Sequence, residues 1–317
     1  MPPTKPQGLL SRRLLLVSGK GGVGKTTVAV ALARLAVRAG KRTLLCGVDT
    51  AGELGRLLGR PGLDAEPVDV AGGFRACDLD GHSAMREFLR MRLKIHAIAD
   101  RVASNKAFAG FFTAAPGLRE YVLLGKAWYE ARERAGWLGD NSRNDLVILD
   151  APATGHAAAF LRAAHQITDI MVGPLQASAR QIRDFLVDPA LTALVLVATP
   201  EELAVNEAVE LSRHARRELS MHVGLVVLNS VFPVLFETET LRAVRGLAHD
   251  GREGRDRALI DAAHFRAQRE SEQTRLLQRA KRALPKPQAT VERVLDPDDE
   301  EEVLAAMTRA LGEAAAP

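Results

Sequence analysis

Two cysteines stand in 317 residues, and aromatic side chains make up only 4%. Cys46 and Cys77 lie in separate apolar, strand-like runs, and neither has a second cysteine close to it in the chain. Structural zinc and iron–sulfur sites draw on paired cysteines at short spacing, so both are excluded and no zinc is expected. The two thiols read instead as buried and free, in a reducing compartment. Long apolar runs are missing as well. None approaches the ~20 residues of a membrane span, so an integral membrane protein is not expected. Leu14 to Val17 is too short for the apolar core of a secretory leader and runs straight into a glycine loop. A cytoplasmic location is the expectation. Charge of one sign is also lacking. Lys and Arg total 43 and Asp and Glu 39, a net +4 that does not by itself call for nucleic acid. No nucleic-acid partner is expected. Hydrophobic content of 47% and charged content of 26% are ordinary for a globular chain. The length suits one large α/β domain over 1–317.

What is present is concentrated in Ser18 to Thr27. Gly19, Gly24, Lys25 and Thr26 fit the pattern Gly-x-x-x-x-Gly-Lys-[Ser/Thr]. An apolar run precedes it and an Ala-rich helical stretch, Val28 to Ala39, follows it. Strand, glycine loop and helix N-terminus together make a phosphate cradle, because backbone N–H groups and the helix dipole favour an anion. Gly19, Lys20, Gly21, Gly22, Val23, Gly24, Lys25, Thr26 and Thr27 are the expected nucleotide-binding set. Lys25 would reach the β- and γ-phosphates and the Thr26 hydroxyl would ligate Mg²⁺. Gly19-x-Gly21-x-x-Gly24 is also a dinucleotide fingerprint. A pyrophosphate turn has no need of Lys25 and Thr26, so the pattern reads as a nucleoside triphosphate site.

Apolar runs alternate with helical patterns along the whole chain, which predicts a doubly wound, mostly parallel sheet covered on both faces. Strands are expected at Leu14 to Val17, Thr43 to Val48, Phe74 to Asp80, Leu146 to Leu149, Ala193 to Ala198, Val223 to Leu228 and Thr290 to Leu295. A helical subregion is expected over about 83–136, as helices Ser83 to Ala103 and Leu118 to Arg134. A charged helical segment is expected over about 237–282, a solvated helix pair rather than a nucleic-acid surface. At Thr199-Pro200-Glu201-Glu202 the pattern predicts an N-cap, a first-position proline and a capping-box acid.

Ligands of an open α/β sheet bind at the carboxyl ends of its strands. Asp49, Asp150 and Asn229 each close an apolar strand. An apolar strand delivering a carboxylate last is the Walker B arrangement, so Asp150 would hold Mg²⁺ through a water molecule. Asp49 would orient or deprotonate the attacking water.

Lys20-Gly21-Gly22-x-Gly24-Lys25-Thr26 resembles the signature of the deviant Walker A ATPases. Asp150-Ala151-Pro152-Ala153-Thr154-Gly155-His156 narrows the resemblance to the arsenite-pump and tail-anchored-protein-targeting ATPases, which carry Asp-Thr-Ala-Pro-Thr-Gly-His there. The likeness runs from about Leu14 to Leu311. It implies an ATPase that takes ATP with Mg²⁺. It also implies a second, γ-phosphate-sensing switch made of Ala151, Pro152, Thr154, Gly155 and His156. By the same resemblance, Asn229 contacts the adenine and Lys20 crosses a dimer interface to the partner's nucleotide. The partner is then a second copy or a paralogous ATPase, with an unknown protein client. The first switch departs from the family: Asp-Pro-Ala-His-Asn-Leu-Ser-Asp is replaced by Asp49-Thr-Ala-Gly-Glu-Leu-Gly-Arg56. The arsenite-sensing cysteines, the zinc-clasp Cys-x-x-Cys and room for a long methionine-rich insert after His156 are all lacking. The leading expectation is a dimeric switch ATPase. A hydrophobic-client or tail-anchored-protein targeting factor is the first alternative. A DNA- or membrane-partitioning ATPase is the second, opposed by the acidic start of the last helix, Asp298 to Glu302.

Overall fold

The computed structural model describes residues 8–81, 83–86, 117–132, 135–136, 139–140, 143–152, 154–170, 174–235, 237–247, 254–295 and 299–315. Strand β1 (Leu14–Gly19) is followed by helix α1 (Lys25–Arg38), β2 (Thr43–Val48), α2 (Glu53–Leu57), β3 (Val68–Asp69) and β4 (Arg75–Leu79). Helix α3 (Leu118–Ala131) leads through the short pair β5 (Ala135–Gly136) and β6 (Gly139–Asp140) to β7 (Leu146–Asp150). Then come α4 (Thr154–Ile170), α5 (Pro174–Val187), β8 (Thr192–Ala198), α6 (Glu202–Arg217) and β9 (Val223–Val231). The chain ends with α7 (Thr238–Arg245), α8 (Gly254–Ala283), β10 (Gln288–Glu292) and α9 (Glu300–Ala315).

Eight strands form one sheet in the order β10-β9-β8-β1-β7-β2-β4-β3. Every pairing is parallel except the two-residue edge strand β3. Side chains alternate across a strand, and β1 shows the consequence. Leu14 and Leu16 enter a core shared with α3, α4, α5 and α6, whereas Leu15 and Val17 enter one shared with α1 and α9. All four are fully buried, each worth roughly 1.5–3 kcal/mol. A strand apolar on both faces can only be interior to a layered α/β fold, and β1 is near the centre of the order.

Several expectations shift. The charged segment over 237–282 divides into α7 and α8. In α8, Ile260, Ala267, Leu276 and Ala280 are buried, so it is a packed helix with one charged face rather than a solvated one. Thr199 and Pro200 are not helical. The helix begins at Glu202, and the capping position, Glu201, is extended with no side-chain cap bond. The first intrahelical bond runs from the Val205 N–H to the Glu201 carbonyl at 2.9 Å, so Glu201 is the cap, and Thr199 and Pro200 carry the chain from the strand end over the rim. The expected helix from Ser83 keeps 83–86, but residues 87–116 lie outside the described structure. The edge strand β3 and the pair β5–β6 were not anticipated, being too short for any periodicity to register.

The two cysteines, expected to stand apart, are direct partners across β2 and β4. Sequence distance concealed a register contact: Cys77 Sγ donates to Cys46 Sγ at 3.4 Å. That contact, and then burial, holds the Cys46 thiol well above its ordinary pKa. Thiolate is the reactive form, and both side chains are fully buried. Neither thiol should react with a disulfide reagent in the native protein at neutral pH, and both should react once it is unfolded. A rapid native reaction would contradict this packing.

Candidate functional site

The glycine loop is fixed in place from two sides. β8 runs so close to β1 that a Cβ on Gly19 would sit 2.1 Å from the Val197 carbonyl oxygen. Gly24 adopts φ +86°, and a Cβ there would meet the Asn229 amide nitrogen at 2.5 Å. That amide nitrogen, Nδ2, donates to the Val23 carbonyl at 2.8 Å. Asn229 is therefore a clamp on the loop, a role its sequence position did not announce. One amide hydrogen and the carbonyl remain for any base contact.

α1 starts at Lys25, with Thr26 and Thr27 in its first turn. Lys25 Nζ bends back to the carbonyl of Lys20 at 3.2 Å, an oxygen standing where a phosphate oxygen would be the stronger partner. Burial lowers the Lys25 pKa, with Asp150 and then Glu53 opposing the shift. Thr26 Oγ1 donates to Asp150 Oδ2 at 2.6 Å. Asp150 is buried, and burial raises its pKa to about 6 against the pull of Thr26 and Lys25. Its other oxygen, Oδ1, is buried with no hydrogen-bond partner. An orphaned carboxylate oxygen beside a hydroxyl is a set of hard oxygen donors, the kind Mg²⁺ takes alongside water and phosphate. The residues present thus fit the ion.

β2 delivers Asp49 to the same rim. Asp49 and Ala51 both have φ near +51°, and Gly52 follows at +82°. Left-handed backbone costs a non-glycine residue about 1–2 kcal/mol, least for Asp. The turn is held by the Asp49 N–H to the Leu79 carbonyl (3.1 Å) and by Thr50, whose N–H and hydroxyl both donate to the Asp78 carboxylate. The Asp49 carboxylate accepts a hydrogen bond from Arg119 at the start of α3. Lys25, Thr26, Asp49, Arg119, Asp150 and Pro152 are among the residues lining one cavity of about 510 Å³.

Ala151 is buried and donates its N–H to the Val17 carbonyl at 2.9 Å. Thr154, Gly155 and His156 form the first turn of α4, and their side chains lie outside the described residues. Lys20 is half-exposed at the loop entrance. Of the expected residues, then, Lys25, Thr26, Asp49 and Asp150 converge on one cavity, and Asn229 stands behind the loop. Sequence reasoning missed Arg119 and Asp78. Arg119 carried one faint signal, a cation in a first helical turn where the dipole disfavours it.

A glycine loop between a central parallel strand and a helix N-terminus, with a strand-end aspartate bonded to the loop threonine, defines a P-loop nucleoside triphosphatase. The family model for "Anion-transporting ATPase" matches residues 12–176, and the chain belongs to that family. It is similar to ATPase BagA of Mycobacterium tuberculosis, 31% identical over 245 residues that cover 74% of this chain and 70% of that one. It is also similar to the arsenical pump-driving ATPase of Escherichia coli, 28% identical over 69% of this chain and 39% of that protein. A third relative is ATPase GET3 of Kluyveromyces lactis, 26% identical over 73% of this chain and 67% of that one. The protein is an ATPase, converting ATP and water to ADP and phosphate. Among the described residues no helix is long and apolar enough to cross a membrane.

Proposed function

We propose that this ATPase works as a Mg²⁺-dependent dimeric switch, coupling its nucleotide state to a protein partner in the cytoplasm. The observation that carries the reading is the join between catalysis and strain. Asp49, the strand-end carboxylate suited to act on water, opens a left-handed turn that forms a wall of the phosphate cavity. A turn held against its own preference is poised to rearrange when its neighbours change.

In this reading the loop N–H groups and Lys25 bind and orient the β- and γ-phosphates. Asp49 takes a proton from the attacking water. Thr26 and Asp150 would hold Mg²⁺, which supplies charge neutralisation to the phosphates. Ala151 to His156 would relay γ-phosphate loss into α4. Asn229 positions the loop and faces the base. A hydrophobic-client factor would need a groove between Ser83 and Arg134, whose arginines argue against a wide apolar one, and most of that stretch lies outside the described residues. No observation therefore raises that alternative above the switch reading.

The dimer is tested through Lys20. If each Lys20 serves the partner's nucleotide, as a finger in trans worth about 10³–10⁵ in rate, Lys20→Ala should spare ATP binding and cut turnover steeply. A Lys20→Ala chain mixed with an Asp49→Asn chain should then exceed either alone, because one site of the mixed dimer keeps both groups. Turnover per chain that is independent of concentration, with no gain on mixing, would leave Lys20 without a role in trans.

A further inference from the structure

Arg119 is placed against the electrostatics of its own helix. It lies in the first turn of α3, where the helix dipole repels a cation. Its side chain lies across Gly81: a Cβ there would fall 2.5 Å from Arg119 Nε and 2.9 Å from its Cγ. The missing side chain at Gly81 makes the path by which the guanidinium reaches the phosphate cavity. At the end of that path it bonds the Asp49 carboxylate, on a wall of the cavity that Lys25 and Thr26 also line. The pair is partly open to solvent, with side-chain exposures of 42% for Arg119 and 36% for Asp49. A surface ion pair of this kind contributes little to stability, so its stability value does not explain its position.

We infer that Arg119 is a latch on the first switch, exchanged for the γ-phosphate when ATP binds. The inference rests on the ATPase reading and adds a regulating residue to it. Bonded to Asp49 Oδ2, the guanidinium keeps that oxygen from serving as a base. A γ-phosphate carries more negative charge than one carboxylate and presents several oxygens, two of which the planar guanidinium fork engages at once, so guanidinium binds it in preference to a half-exposed carboxylate. Transfer of Arg119 frees Asp49 to accept a proton from water. The water oxygen then bonds to the γ-phosphorus, the bridging P–O bond breaks, and its electron pair stays on the β-phosphate oxygen of ADP. ADP lacks the γ-phosphate to which Arg119 transfers, so hydrolysis and release of phosphate restore the latch. One side chain thus reports the γ-phosphate and gates the base, all within one subunit.

The experiment uses the full chain as wild type, Arg119→Ala, Arg119→Lys, Asp49→Asn and the Arg119→Ala/Asp49→Asn double variant. Calorimetry measures affinity for Mg-ADP and Mg-ATPγS. Loss of a charge-assisted bond to the γ-phosphate predicts that Arg119→Ala weakens ATPγS about ten- to a hundredfold while leaving ADP within about threefold. Turnover should fall by about a hundredfold and recover in part with added guanidinium or with lysine at the position. Thermal midpoints of the four cycle members should show a small coupling between Arg119 and Asp49, of the size a half-exposed pair gives, without nucleotide and with ADP, and none with ATPγS. A residue that merely fastens α3 to the switch would weaken both nucleotides alike and keep its coupling in every state, which would overturn the latch. An unchanged ATPγS-to-ADP ratio in Arg119→Ala would overturn it too. If the wild type neither binds nor hydrolyses ATP, the ATPase reading fails instead, so the two failures are distinguishable.

Discussion

Lys25→Ala is expected to remove nucleotide binding while leaving the fold intact. Lys25 opens α1, where alanine is the best helix former, so the backbone loses nothing. Its hydrogen bond to the Lys20 carbonyl at 3.2 Å is worth about 1 kcal/mol. Facing phosphates in a shielded cavity, the same ammonium is worth about 2–4 kcal/mol. That corresponds to roughly a thirtyfold to thousandfold loss of affinity for ATP. Calorimetric titration with Mg-ATP, alongside a circular dichroism spectrum matching wild type, is the check. Unchanged affinity would end the assignment of Gly19 to Thr26 as the phosphate cradle.

Asp150→Asn should separate stability from function in the opposite sense. Burial raises the Asp150 pKa to about 6, above the ~3.9 of an unfolded chain. The folded protein therefore holds this proton more tightly than the unfolded one. The cost of the ionised carboxylate is fully present above pH 6, declines as the pH falls through 6, and vanishes below about 3.9. At pH 7 it amounts to about 3 kcal/mol in the protein without metal. Asparagine keeps an oxygen for the Thr26 hydroxyl and carries no charge. The nucleotide-free variant should thus melt above wild type at pH 7, and by about half that margin at pH 5. Its Mg²⁺-dependent turnover should be lost, since no anionic oxygen remains beside Thr26. Thermal scans at the two pH values, with and without Mg-ATP, measure both effects. A variant that melts below wild type at pH 7 would show that Asp150 stabilises the empty site, contrary to its burial.

Particular elements show how far the chain could be read. Thr43–Val48 was legible to the residue, because an apolar run bounded by polar residues and ended by Asp49 has one reading in an α/β fold. The meeting of Lys25, Thr26 and Asp150 at one cavity was legible because the loop and the strand ends of an open α/β sheet converge on one rim. Thr199 and Pro200 misled, since a capping signature also fits a strand leaving the sheet. The β3 edge was invisible at two residues.

The sequence alone determined the layered parallel fold and the glycine loop that opens α1, for hydrophobic period and loop composition are local and each segment carries its own. Tertiary structure alone decided which distant side chains meet. Cys46 faces Cys77 because β2 and β4 pair in that register. Asn229 clamps Val23 across 206 residues of chain. Arg119 reaches Asp49 because Gly81 leaves its path open. Such contacts depend on strand order and on the close approach of elements far apart in sequence, and no local pattern encodes either.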